Sequence, residues 1–363
     1  MSNPFSSQFR YEPPGGVYLD SPANGVISNT TFEIGRHSDE LCRQDIPGYR
    51  QHFMLNEMKD LRSALAGMLS VQPRNLAFLP SFSVALNYLM TGLNRKWKVW
   101  SLEGDYPSLI MPFELYGFEL IKAPIPALEL STQRILEGIE KNKPDLVVMS
   151  HVQWLSGFKV DLEKLGAFCR ERGIFTLIDG TQFMGTAPLD LGTMQVDAYG
   201  ASGYKWLLAG FGNGFLYTAP HFFEELDVRI GGFGSLLNFQ NEWKYEESMK
   251  NFEPGHLDHI SFTRMKNAVN EWSANDPKRV ADHIGDLLNY FLTALNQNGV
   301  DVYDYRAVNG LSSILSVGLS DEQTDALKEK NIRFSKRGGR VRIGCHIYNT
   351  TADVDRFVSA VTS

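Results

Sequence analysis

Lys205 is the residue of this sequence best placed to do covalent chemistry. It stands in the run Ala201-Ser202-Gly203-Tyr204-Lys205-Trp206, with Gly210, Gly212 and Gly214 close behind. Upstream, the apolar run Phe175-Thr176-Leu177-Ile178 ends in Asp179, and Gln182 follows three residues later. A lysine amine forms an imine with an aldehyde when burial or neighbouring cations hold it neutral. An acid at the end of a buried strand can keep a ring nitrogen protonated. These are the two groups that a pyridoxal phosphate site pairs, a Schiff-base lysine and an acid facing the pyridinium nitrogen. Taken singly, Lys205 also reads as a solvated loop lysine, and Asp179 as a cap on the turn Gly180-Thr181.

Such a cofactor needs phosphate donors. Ser81-Phe82-Ser83 follows a short apolar run and opens a helical stretch, so N–H groups and the helix dipole can face an anion. Plain N-capping by Ser81 or Ser83 explains the same residues equally well. Ser202 and Tyr204 add hydroxyls from the lysine segment.

The elements that must position these residues alternate. Helical spacing runs from Met54 to Leu69, with Leu55, Met58, Leu61, Leu65 and Met68 as one face. Short apolar runs at Ala77-Phe78-Leu79, Trp97 to Leu102, Phe118 to Ile121, Leu146 to Met149, Phe175 to Ile178, Ala198-Tyr199 and Gly214 to Tyr217 read as strands. Helical stretches at Val84 to Met90 and Leu162 to Arg172 lie between them. That alternation predicts an α/β domain with a mostly parallel sheet. Ligands of such sheets collect at the carboxyl ends of the strands, where Asp179 and Ser81 stand. After about Asn238 the pattern changes to long helices (His259 to Ser273, Arg279 to Asn296) and smaller strands (Ser313 to Leu319, Arg340 to Ile343). A final helix is expected from Thr351 to Val361. The expected organisation is an N-terminal arm over 1–20 that packs with the small domain. A large cofactor domain over 21–240 and a smaller C-terminal α+β domain over 241–363 complete it. The segment Asn238 to Glu253, rich in charge and aromatics, reads as a mobile or interface loop.

The bulk composition excludes several classes. With 363 residues, 43% hydrophobic and 21% charged, the chain can bury a sizeable core. A net charge of −7 leaves no basic footprint for nucleic acid, and no long uncharged apolar stretch suits a membrane. Cys42, Cys169 and Cys345 are few, odd in number and far apart, which fits reduced thiols in the cytoplasm and no metal site. The start, Met1-Ser2-Asn3-Pro4, shows no export signal.

From Tyr18-Leu19-Asp20-Ser21-Pro22 to Tyr348-Asn349-Thr350, the order of motifs resembles the class V aminotransferase family of fold-type I pyridoxal phosphate enzymes. That family includes cysteine desulfurases, kynureninases and isopenicillin N epimerase-like proteins. The resemblance implies roles residue by residue. Lys205 carries the Schiff base and acts as general base at Cα. Asp179 holds the pyridine nitrogen protonated, and Gln182 bonds the phenolate oxygen. Ser81, Phe82, Ser83, Ser202 and Tyr204 hold the phosphate, with Tyr204 where the family has histidine. Tyr106 stacks on the ring, and Trp154, after His151, lines the substrate pocket; His151 itself reads as structural. Arg342, in Arg340-Val341-Arg342-Ile343-Gly344-Cys345-His346, clamps the substrate carboxylate, with Cys345 in the core beside it. His256, in Phe252-Glu253-Pro254-Gly255-His256, reaches the partner's phosphate in a homodimer with shared active sites.

The sequence departs from desulfurases at Asn331 to Gly339, which holds no cysteine where they carry their nucleophile. A persulfide route needs a thiolate there. The first expectation is therefore an aminotransferase acting on an amino acid or small amine. A lyase (kynureninase-like or β-eliminating) or an epimerase on the same scaffold is the alternative. A non-catalytic relative that keeps the cofactor is the third.

Overall fold

The computed structural model describes residues 16–238 and 244–362. Pro4, Pro13 and Pro14 of the expected arm, and part of the expected loop after Asn238, lie outside the described residues. In chain order the first half runs β1 (Val17–Tyr18), α1 (Asn29–Gln44), α2 (Ile46–His52), α3 (Met58–Leu69), β2 (Leu76–Leu79), α4 (Phe82–Met90), β3 (Lys98–Leu102), α5 (Pro107–Leu115), β4 (Glu119–Ala123), α6 (Thr132–Asn142), β5 (Leu146–Ser150), α7 (Leu162–Glu171) and β6 (Phe175–Asp179). It continues through β7 (Ala198–Ser202), β8 (Gly214–Thr218), α8 (Pro220–Phe223), β9 (Leu236–Asn238), β10 (Lys244–Tyr245), α9 (His259–Ala274) and α10 (Pro277–Gln297). The chain closes with β11 (Ile314–Val317), α11 (Asp321–Glu329), β12 (Ile332–Arg333), β13 (Ser335–Arg337), β14 (Arg340–Gly344) and α12 (Thr351–Thr362).

The expected α/β architecture is present. Seven strands form one sheet in the order β2-β8-β7-β6-β5-β3-β4. β4, β3, β5, β6 and β7 are parallel, and only β8 runs against its neighbours β7 and β2. Every residue of β2, β5, β7 and β8 is buried, as a sheet covered by helices on both faces requires. The carboxyl ends of β2, β3, β5, β6 and β7 therefore open on one edge. They deliver the segments that begin at Ser81, Asp105, His151, Gly180 and Gly203 to the same place.

Two hydrophobic clusters make up the core. The larger surrounds the seven-stranded sheet. The smaller joins α10, α11 and α12 to the antiparallel sheet β11-β14-β13 and includes Val17 and Leu19. β1 reaches it by pairing in parallel with β12. The expected boundary at 240 does not match this division. Met249, Phe252, Phe262, Met265, Ala268 and Val269 pack in the larger cluster, and the change comes near Trp272. The reason is α9, which lies against α1 and α3 rather than on the small sheet.

One further expectation is corrected at the start of α3. Phe53–Glu57 forms a π-turn, not the first turn of an α-helix. The wider turn shifts the phase of the apolar stripe, so Met58, Leu61 and Leu65 stay buried while Leu55 is 60% exposed. The expected loop after Asn238 begins and ends in structure, since β9 pairs antiparallel with β10. No helix among the described residues is long and apolar enough to cross a membrane.

Candidate active site

At the carboxyl edge of the sheet lies a narrow cavity. It is lined by Phe82, Ser83, Tyr106, Ser150, Trp154, Asp179, Thr181, Gln182, Ser202, Tyr204 and Lys205. Nine of the residues expected at a cofactor site thus meet on one surface, drawn from the ends of five strands.

Lys205 is 6% exposed, in the loop that leaves β7. Burial pulls its amine down to about 8, against the opposing pull of Asp179 and with help from Arg342 and Arg337. The amine lies 5.4 Å from the centroid of the Tyr106 ring and 5.6 Å from that of Tyr204. The loop is pinned from several sides. Gly25 N–H donates to the Tyr204 carbonyl at 2.8 Å, and Gly203 N–H to the Asn213 carbonyl at 3.0 Å. His346 Nε2 lies 2.8 Å from the Trp206 carbonyl and its ring stacks on the indole. These contacts fix where the amine can point.

Asp179 ends β6 and is 6% exposed. Its Oδ1 accepts from Thr181 N–H at 2.8 Å. Burial pushes its carboxyl up to about 6, with the Thr181 bonds and Lys205 pulling the other way. A buried carboxylate held mainly by one turn calls for a further donor. Gln182 has both ends engaged: Nε2 donates to the Pro22 carbonyl at 3.0 Å, and Oε1 accepts from Trp206 Nε1 at 2.8 Å. One amide N–H remains for a ligand oxygen.

The phosphate cup is assembled only in part as expected. Ser81 caps α4, its hydroxyl accepting from Val84 N–H at 3.3 Å, and it does not line the cavity. Phe82 N–H is taken up by Ser202 Oγ at 3.0 Å. Ser83 does line the cavity, and its N–H is one of the first-turn donors a helix leaves without an internal partner. Ser83, Ser202, Thr181 and Tyr204, each with a hydroxyl, line the same cavity. Tyr204 stacks on Phe211 with centroids 5.1 Å apart, and burial pushes its phenol up to about 12.

Tyr106 is the N-cap residue of α5, held there by its N–H to Asp105 Oδ1 at 2.7 Å. Trp154 meets it edge to face at 5.4 Å and donates from Nε1 to the Gly104 carbonyl at 3.1 Å. Arg342 stands in β14, 3% exposed, and does not line the cavity itself. Its Nη1 donates to the Trp154 carbonyl and its Nη2 to Ser335 Oγ, at 3.0 and 3.2 Å. Its buried Nε has no partner. Burial lowers this guanidinium to about 10.

His256 is exposed, with Nε2 3.5 Å from Arg50 Nη1, and is not part of this chain's cavity. His151 is buried, stacked on Phe183 with centroids 3.9 Å apart, and burial keeps it neutral. Sequence reasoning missed Asp105, Ser150 and Thr181. Asp105 joins two strand ends, its Oδ2 accepting from Ser150 N–H at 2.8 Å. Thr181 Oγ1 accepts from Ser202 N–H at 3.1 Å. Only the position of each at a strand end could have signalled it.

The residues present fit pyridoxal phosphate. Asp179 is an undercompensated acid for a pyridinium. Ser83, Ser202 and Tyr204 supply donors for a phosphate, and the orphaned Arg342 Nε is suited to a carboxylate. The segment before Arg342 is a hairpin closed by two glycines, Gly338 and Gly339, both at positive φ. No cysteine lies on it. Cys169 and Cys345 are buried, which pushes their thiols up, and Cys42 sits on α1.

Comparison with known proteins gives the family and the fold. The aminotransferase class-V family model matches residues 48–357. Isopenicillin N epimerase of Streptomyces clavuligerus is 27% identical over 270 residues, which are 69% of this chain and 63% of that protein. A probable cysteine desulfurase of Methanothermobacter thermautotrophicus is 22% identical over 82% of this chain and 81% of its own. Among solved structures, the cystine C-S lyase C-DES, in complex with cysteine persulfide, superposes with a TM-score of 0.87. It is 19% identical and covers 96% of this chain and 98% of its own. The cysteine desulfurase CsdA of Escherichia coli gives 0.83 at 19% identity, over 98% and 96%. The chain belongs to the aminotransferase class-V family of pyridoxal phosphate-dependent enzymes.

Proposed function

We propose that this chain is an aminotransferase acting at Cα of an amino acid, with Lys205 as its proton carrier. The observation behind this reading is the make-up of the cavity: Lys205 is its one amine, Asp179 its one acid, and no cysteine lines it. The cofactor, when bound, supplies an electron-poor ring that takes up the electron pair left at Cα. Asp179 would hold the proton on the ring nitrogen. Lys205 Nζ, lowered to about 8, can take a proton from Cα and would hand it on to the cofactor carbon, as transamination requires. Arg342 Nε would bind the α-carboxylate, while Tyr106 and Trp154 would wall the pocket against water.

A persulfide route lacks its thiolate. Epimerisation through two proton carriers would need a partner for Lys205, and the Tyr204 phenol, pushed up to about 12, releases its proton poorly near neutral pH. Elimination would use Lys205 in the same way, so the test must separate it. The holoenzyme is given a panel of amino acids with and without a 2-oxo acid. Expected is one oxo acid released per site with the cofactor left in its amino form, and turnover only when an acceptor is added. Ammonia or sulfide released without an acceptor would assign a lyase, and racemisation without product an epimerase.

We also infer that two copies share their sites. Phe211, stacked on Tyr204, is 67% exposed, and Phe233 and Leu237 are similarly open. If His256 serves the partner's phosphate, mixing inactive Lys205→Ala with weakened His256→Ala protein must restore activity above that of either alone. Simple addition of the two activities argues for separate sites.

A further inference from the structure

Arg337 is a cationic group near the site that the proposed reaction does not use. The register of β13 against β14 places Ser335 opposite Arg342 and Arg337 opposite Arg340. Residues directly opposite in an antiparallel pair project from the same face, and so do residues two apart on one strand. Arg337, Arg340 and Arg342 therefore share one face of the small sheet, the face that carries Arg342 to the Trp154 carbonyl.

Two of the three guanidiniums are committed. Arg340 bonds Asp301 and Ser316 and lies 4.0 Å over the Tyr303 ring. Arg342 is held by Trp154 and Ser335. Arg337 makes a single hydrogen bond, from Nη1 to the Lys336 carbonyl at 2.9 Å, and no ion pair among the described residues. Its backbone is fixed by the β13–β14 register and the two-residue Gly338-Gly339 turn, and its side chain is exposed.

Arg337 lines a second cavity, of about 180 Å³, together with Gly104, Gln153 and Leu155. This space adjoins the first across a shared wall. The Gly104 carbonyl on its surface accepts from both Gln153 Nε2 and Trp154 Nε1, at 3.0 and 3.1 Å, and Trp154 lines the first cavity. Glu103, the one acid on the second cavity, is exposed and forms no ion pair with Arg337. The charge of Arg337 is felt at Lys205, Arg342 and Asp20, lowering all three, so it stands within electrostatic reach of the reacting centre.

On the reading of the site proposed above, we infer that Arg337 receives a second negative charge carried by the substrate's side chain. The preferred substrate class is then amino acids with a side-chain carboxylate, rather than neutral ones. Arg342 takes the α-carboxylate through its free Nε, and Arg337 meets the distal anion from the neighbouring cavity. An unpaired guanidinium fork at a pocket rim matches a planar carboxylate in shape as well as charge.

The test measures binding of aspartate, glutamate, asparagine and glutamine to the holoenzyme through the cofactor's visible spectrum. Wild-type protein is expected to favour each acid over its amide by roughly tenfold, as one charge-assisted pair would give. In Arg337→Gln that ratio falls toward one, and in Arg337→Lys part of it is kept. Raising the salt lowers the ratio in wild type and not in Arg337→Gln. Equal binding of acid and amide by wild type, or a ratio that survives Arg337→Gln, overturns this inference alone. If no amino acid alters the spectrum, the reading of the site as an amino-acid site fails, and this inference with it.

Discussion

Trp206 Nε1 donates to Gln182 Oε1 at 2.8 Å, and this buried bond ties the lysine loop after β7 to the turn after β6, beside the Ser202 N–H to Thr181 Oγ1 bond at their start. Lys205 and Asp179 are carried by those two segments. Their relative placement therefore rests on strand pairing and on bonds between their neighbours. Trp206→Phe keeps the ring and removes the donor, leaving Gln182 Oε1 buried without a partner. The expected cost is about 1–3 kcal/mol, with faster loss of cofactor on dialysis. Gln182→Leu combined with Trp206→Phe removes both partners and is expected to cost less than the sum of the single changes. Strict additivity in chemical denaturation would show that the bond does not couple the two segments.

Asp179 places function and stability in opposition. Its folded carboxyl is raised to about 6 by burial from an ordinary value of 3.8. The folded chain thus holds this proton more tightly than the unfolded one. The resulting stability is fully present below about pH 4 and is lost as pH rises through 6. In cofactor-free protein, Asp179→Asn should escape that loss, gaining roughly 2–3 kcal/mol relative to wild type between pH 4 and 7.5. Urea denaturation at the two pH values measures the gap. Turnover of the loaded variant should fall far more than cofactor affinity, and equal losses would contradict the electron-sink role.

The sheet was legible because its strands are short apolar runs separated by recognisable breaks. The chemistry at their ends was legible because Lys205, Asp179 and Gln182 are unusual residues for such places. α1 was not legible. Its buried face is Thr31, Gly35 and Ser38, which carries no apolar periodicity, and it packs closely on α9 because Gly35 has no side chain to keep Arg264 away. The division between cores was misplaced for a related reason, since α9 looks like the first helix of the next domain until its contacts are seen. Ser81 shows the limit at the site itself. A serine before a helix can cap it or bind an anion, and only the position of its hydroxyl separates the two.

Gly25 shows how the chain's beginning sets the lysine loop. A Cβ there would sit 1.8 Å from the Lys205 carbonyl oxygen and 2.5 Å from Leu208 Cδ2. The first contact is with backbone, which cannot swing aside. Gly25→Ala should displace the loop, with a stability loss of about 1–3 kcal/mol and weaker cofactor retention. Gly285 in α10 has nothing within 4 Å of the same position, so Gly285→Ala should instead stabilise by about 0.5–1 kcal/mol. Thermal denaturation of the two variants reads the contrast. A harmless Gly25→Ala would mean the close approach is dispensable.

The lowered Lys205 amine gives a pH dependence of its own. With a folded value of about 8 against an ordinary 10.5, the unfolded chain binds more protons than the folded one between those limits. Stability of cofactor-free protein should therefore rise with pH across that window, by roughly 3 kcal/mol from this group alone. Lys205→Met lacks the group, so the difference between the two proteins isolates it from other titrations. The same value leaves about one amine in four neutral at pH 7.5, against about one in a thousand for an unshifted lysine. Capture of pyridoxal phosphate by the cofactor-free protein should accelerate about tenfold per pH unit below 7 and level off above 8. A rate still climbing at pH 10 would place the amine in water rather than in the buried setting between Tyr106 and Tyr204.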